Sequence, residues 1–165
     1  MLGEVYIRRG DLDAAAALFE HAFTLGCSVD DACWEAYSVR GIGLLDAARG
    51  DLDGGIARLE DALARCLRQR DTHTWIRAYV LDALCATATA AKDARADGWV
   101  AELEALAGRC GMREFQVHAH LYRADLGDLE ALEAARALAG GVENPLLQGV
   151  LDAAGPPMLE VLLGA

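Results

Sequence analysis

The sequence predicts an all-α fold, a right-handed α-solenoid of about four helix–turn–helix pairs closed by short C-terminal helices. Three observations lead there. Proline is absent until Pro145, so nothing forbids helix over the first 144 positions. Hydrophobic residues make up 54% of the chain and aromatic residues only 6%. Alanine and leucine dominate while β-branched residues are scarce, which favours helix over sheet. Finally, a Gly-Asp-Leu turn recurs between stretches with apolar residues at helical spacing.

Arg9-Gly10-Asp11-Leu12-Asp13 returns as Arg49-Gly50-Asp51-Leu52-Asp53, 40 residues later, and Gly127-Asp128-Leu129 follows 77 residues beyond the second copy. That gap holds one more, degenerate unit around residues 94–108. Glycine closes the helix before each turn in a left-handed conformation, and aspartate caps the free N–H groups of the helix after it. Ala15, Leu18, Phe19, Ala22 and Phe23 form the apolar stripe after the first turn, and Ile56, Leu59, Ala62 and Leu63 the stripe after the second. Val100, Leu103 and Leu106 serve the degenerate unit, and Leu132, Ala135 and Leu138 the last. Predicted helices cover 2–9, 12–25, 30–48, 52–69, 72–93, 95–109, 112–126 and 128–139. Two short ones follow near 145–153 and 157–163, started by Asn144-Pro145 and Gly155-Pro156-Pro157. The units fall at about 1–27, 28–70, 71–110 and 111–141, with C-terminal helices over 142–165, all in one domain. Such pairs bury their apolar faces only by stacking on neighbours.

Fifteen basic against 26 acidic side chains leave a net charge of −11. Nucleic-acid binding needs clustered Lys and Arg, so direct contact with DNA or RNA is not expected. No run of about 18 apolar residues is available to span a bilayer, and the first 13 residues lack the apolar stretch of a signal peptide. The cysteines at 27, 33, 66, 85 and 110 are odd in number, scattered and never in a C-x-x-C pair. Buried, reduced thiols in a cytoplasmic protein are the reading they carry.

Leu2-Gly3, Tyr6, Gly10-Asp11-Leu12, Ala15, Phe19, Ala22 and Phe23 resemble the tetratricopeptide repeat (TPR), in which these residue types recur at these intervals. Ile42-Gly43, Gly50-Asp51-Leu52, Leu59, Ala62 and Leu63 repeat the pattern, which departs at Gly55, where the family places a packing alanine. The third unit is poor, and the fourth keeps mainly Gly-Asp-Leu and Ala139. The spacing of 40 exceeds the roughly 34 residues of the standard repeat. Longer, Arg- and Ala-rich units of this kind are similar to the C-terminal repeat region of LuxR-type ATP-dependent transcription regulators in bacteria. There the repeats sense a signal or bind a protein, with a P-loop ATPase upstream and often a helix-turn-helix downstream, neither of which this chain contains. The first repeat begins at Leu2, without the opening turn and a half of its first helix. That implies a piece of a longer chain.

Catalytic motifs find no frame. Lys92 has no preceding glycines at P-loop spacing, and Gly41-Ile42-Gly43 meets Asp46 where a dinucleotide fingerprint needs glycine. Ser28 and Ser38 lie outside any G-x-S-x-G elbow. His118 and His120 are two apart, so they point to different faces of a helix rather than sharing a metal. One is expected between helices and the other in solvent. Cys110 with His118 is a weak nucleophile–base pairing beside the ordinary role of packing cysteines. The Arg-Gly-Asp triplets are explained by capping.

The concave groove is the remaining candidate. Carried over from the resemblance, it is lined by Glu4 and Arg8, then by Tyr37, Arg40 and Leu44. Leu84 and Lys92 follow in the third unit, then Glu114, Val117 and Leu121. Three cations among apolar positions suit an acidic group of a peptide or small effector. The expected function is a non-enzymatic interaction or effector-sensing module of a bacterial transcription regulator, without cofactor or metal. The alternative is a free-standing scaffold or adaptor that forms a homodimer through exposed end helices.

Overall fold

A computed structural model describes residues 2–69, 73–152 and 158–164, without the side chains of residues 145 and 146. The described residues are helical throughout their regular structure, with no strand. Eight helices form the body: α1 Leu2–Arg8, α2 Leu12–Ser28, α3 Ala32–Ala48, α4 Leu52–Cys66, α5 Thr74–Ala91, α6 Ala96–Cys110, α7 Arg113–Asp125 and α8 Leu129–Ala139. Two short ones, α9 Pro145–Asp152 and α10 Met158–Leu163, follow. Pro145 opens α9, whereas the Gly155-Pro156-Pro157 start signal lies outside the described residues.

The predicted turn chemistry is visible atom by atom. Gly10, Gly50 and Gly127 sit at φ 75°, 87° and 104°, in the half of backbone space that glycine enters without a Cβ clash. Asp11 Oδ1 accepts from the Ala14 amide at 3.2 Å, Asp51 Oδ1 from Gly54 at 2.9 Å and Asp128 Oδ1 from Glu130 at 3.1 Å. The degenerate unit uses Lys92-Asp93 for the same turn. Lys92 adopts φ 56°, and Asp93 Oδ1 accepts from the Arg95 amide at 2.8 Å. Lysine therefore stands where the other turns have glycine.

Each helix from α1 to α8 packs on the next, and the odd-numbered helices also meet one another, α1 on α3, α3 on α5 and α5 on α7. The even helices bury a single stripe, such as Gly55, Ile56, Leu59 and Ala62 on α4. In contrast, α5 is buried on every side from Val80 to Ala88. Small residues set the closest approaches. A Cβ on Gly55 would lie 2.9 Å from the Gly43 carbonyl oxygen, so glycine at the position expected for alanine lets α4 lie against the α3 backbone. Phe19 of α2 seats its ring where side chains on Gly3 of α1 and Gly41 of α3 would stand.

While α9 packs on α8, α10 breaks the sequential order and lies against α1, α5 and α7. Its apolar face enters the core through Met158 and Leu159, both buried. None of the five cysteines is in a disulfide. Cys33 and Cys85 are buried as expected, Cys66 is half-buried, but Cys27 and Cys110 are exposed near the C-terminal ends of α2 and α6. A helix face turned to solvent accommodates a cysteine as readily as a core does.

Candidate functional site

The shared face of α1, α3, α5 and α7 carries a continuous run of rings. Trp34 meets Tyr37 edge-on at 6.0 Å, Tyr37 meets Trp75 at 6.0 Å and Tyr79 at 6.4 Å, and Tyr79 meets Phe115 at 5.1 Å. Phe115 continues to His118 at 5.8 Å. Helical spacing aligns them, since Tyr37 follows Trp34, and His118 follows Phe115, by three residues, and Tyr79 follows Trp75 by four. Trp34, Trp75 and Tyr79 each keep about two-fifths of their surface open to solvent.

Two polar clusters are set into this face. In the first, Arg40 is buried to 3% exposure and is engaged within the chain. Its Nη1 donates to Glu4 Oε1 at 3.0 Å, its Nε donates to the Tyr79 carbonyl at 2.9 Å, and its guanidinium lies 5.6 and 5.4 Å from the Tyr37 and Tyr79 ring centres. Tyr37 also donates its hydroxyl to Glu4 Oε1 at 3.0 Å. Burial is the strongest single influence on Glu4 and resists its ionisation, but the opposing effects, led by the Arg40 charge and joined by the hydrogen bonds from Tyr37 and Arg40, together hold the carboxyl below its ordinary value. Burial and the Glu4 charge together push the Tyr37 phenol up to about 12.

The second cluster centres on Asp82, 1% exposed. Tyr122 donates its hydroxyl to Asp82 Oδ1 at 2.8 Å, and His118 Nδ1 lies 2.9 Å from the same oxygen. Burial opposes a charge on His118, yet the charge and hydrogen bond of Asp82 and the charge of Glu114 together raise the histidine above its usual value. On its other edge, His118 Nε2 lies 4.0 Å from Glu114 Oε1, which also accepts from Asn144 Nδ2 at 2.6 Å.

Between the clusters lies a partly enclosed cavity of about 160 Å³. Glu4 and Arg40 wall one side, Glu114 and His118 the other, with Tyr79 and Phe115 between them. Met158, Val161 and Leu162 of α10 contribute the apolar side. Carboxylates beside open aromatic faces suit cationic and apolar side chains. No group of three metal-ligating side chains occurs among the described residues.

Glu4, Arg8, Arg40 and Glu114, selected from sequence as groove residues, thus meet in one cavity, and Tyr37 adjoins it through Glu4. Leu44, Leu84, Val117 and Leu121 are instead buried in the core below the face. Lys92 lies elsewhere, exposed at the C-terminal turn of α5, because the turn claimed it. Sequence reasoning missed Tyr79, Asp82 and Phe115, and it left open which of His118 and His120 lies between helices. His118 is buried, whereas His120 is half-buried rather than wet. The spacings Trp75–Tyr79–Asp82 and Phe115–His118–Tyr122 were the available signal.

The fold and the site define an all-helical chain with an aromatic, carboxylate-bearing face. In comparisons with known proteins, no family model, no curated protein and no solved structure matches it.

Proposed function

We propose that this chain is a non-enzymatic interaction module built as a tetratricopeptide-like α-solenoid, whose concave face takes a helical or extended segment of a protein partner. One observation carries the reading: α10 lies on the shared face of the odd-numbered helices, where it buries Met158 and Leu159. A surface that accepts an apolar helix from its own chain has the shape and chemistry to accept one from another. Contacts between successive helices, and between successive odd-numbered helices, support the stacked-repeat arrangement. The repeat motif at residues 2–25 and 37–66 supports placing the module in a bacterial LuxR-type transcription regulator. There, occupation of the groove shifts the state of attached domains by mass action. The placement of Arg40 favours a protein ligand over an acidic small effector, since its guanidinium is already engaged by Glu4 and the Tyr79 carbonyl.

A photo-crosslinking amino acid at position 75, compared with one at Asp53 near the start of α4, tests the reading in cells that make the protein. The expected result is a discrete crosslinked partner from position 75 alone. Equal, diffuse crosslinking from both positions overturns it. A second reading, self-association as a scaffold, is favoured by the outer face of α1, where Leu2 is 59% and Val5 43% exposed. Sedimentation then shows a dimer that Val5→Lys converts to monomer.

A further inference from the structure

We infer that α10 is a displaceable internal ligand, and that the partner which displaces it is a basic amphipathic helix. The inference rests on the groove reading above and names the chemistry of the occupant. The helix reads Met158-Leu159-Glu160-Val161-Leu162-Leu163. Met158 and Leu162 lie four apart and, with Val161, turn to one side, which is the side that faces the cavity. Glu160 is exposed. The segment thus supplies the apolar half of a groove-binding helix.

It brings no cation to this face. The described part of α10 holds no lysine or arginine, and its one ionised side chain is acidic. Inside the cavity the charges are already matched, Glu4 by Arg40 and Tyr37 and Glu114 by Asn144 and His118, with Arg8 on the same lining, so a cation finds its place outside it. Past α10, the same face continues into the open rings of Trp34, Trp75 and Tyr79. A guanidinium or ammonium on these rings gains face contact of the kind Arg40 already makes with Tyr37 and Tyr79. A net charge of −11 adds long-range attraction for a basic partner and repels an acidic one. A helix with an apolar ridge flanked by Lys and Arg therefore takes up the apolar side that α10 fills and adds cation–ring contacts that α10 lacks. The internal helix has the advantage of attachment, equivalent to a local concentration on the order of millimolar. It acts as a threshold rather than a block.

The geometry also provides the test. An ideal Cβ on Gly164 lies 3.1 Å from Arg8 Cβ, a few tenths of an ångström inside the span of a disulfide, so Arg8→Cys with Gly164→Cys joins the end of α10 to α1 once the backbone at Gly164, at φ 78°, gives by that much. Exposed Cys27 and Cys110 are replaced by serine in the same full-length protein. Two fluorescent amphipathic peptides serve as probes, identical except that one carries Lys and Arg where its twin carries Glu. Each is titrated into the oxidised, locked protein and into the same protein reduced. The expected result is that the basic peptide binds the reduced protein at least tenfold more tightly than the locked one, and at least tenfold more tightly than the acidic twin binds. Met158→Ser with Leu162→Ser, checked for retained helix by circular dichroism, is expected to bind the basic peptide more tightly than the unmodified chain. Equal binding to locked and reduced protein overturns the internal-ligand inference while leaving the groove reading to the position-75 crosslink. Equal binding of the two peptides overturns the basic partner, and binding of neither to any form overturns both parts.

Discussion

Arg40 is the residue on which the candidate face is hung. It is a nearly inaccessible cation held by one carboxylate, one carbonyl and two rings. Removing a partner from a buried ion pair costs more than the pair contributes, because the surviving charge keeps its desolvation penalty. Glu4→Gln is therefore expected to lower stability by about 2–3 kcal/mol, read as a shift in the urea midpoint at unchanged slope. A second prediction belongs to His118. Folding raises this histidine above its ordinary 6.5, so the folded chain keeps a proton that the unfolded chain releases first. The Asp82–His118 pair therefore contributes fully below about pH 6.5. Its contribution fades as the pH rises through the higher folded value. The stability lost on His118→Gln should shrink when urea titrations are repeated from about pH 5.5 up to about pH 8.5. An unchanged difference across that range contradicts a charged pair.

At the scale of the element, the turns show how local chemistry places whole helices. Three of the repeat turns use glycine in the left-handed region with an aspartate cap, and the remaining one holds Lys92 at φ 56°. A non-glycine residue there costs about 1 kcal/mol, from its Cβ against the following carbonyl. Lys92→Gly is thus expected to raise the thermal midpoint, corresponding to a gain of about 1 kcal/mol. The same change at exposed Ala57, within α4, should lower it by a similar amount through lost helix propensity. Glycine at 55 has another cause. It is a packing residue, since the Gly43 carbonyl oxygen leaves no room for a methyl group.

Across the whole molecule, burial is distributed unevenly, and the dynamics should follow. The middle helix α5 lies among α3, α4, α6, α7 and α10, whereas α9 packs on α8 at one end. Local opening is governed by how many buried contacts must be lost. Native-state hydrogen exchange is expected to be slowest in α5 and the second half of α3, and fastest in α8 and α9. Equal protection of α8 and α5 would count against stacked units held by nearest neighbours.

Almost all of the helix pattern was legible in the chain. Periodicity, Gly-Asp turns and Asn144-Pro145 act over a few residues, so position in sequence is enough to read them. The edges differed where competing local chemistry intervened, as where α2 runs on to Ser28 and α4 stops at Cys66. The site was only half legible. Glu4, Arg8, Arg40 and Glu114 followed from the resemblance to the repeat family, but Lys92 did not, because the weakest repeat concealed a turn beneath an unfamiliar residue. Asp82, His118 and Tyr122 come together across 36 and 40 residues of chain, and α10 lies beside Arg8 although the two are separated by most of the sequence. Local propensity and capping therefore determined the elements and their order. Which faces meet, which charges are buried, and that α10 lies against α1, α5 and α7 were decided by packing between distant segments, whose free energy exists only once the helices are assembled.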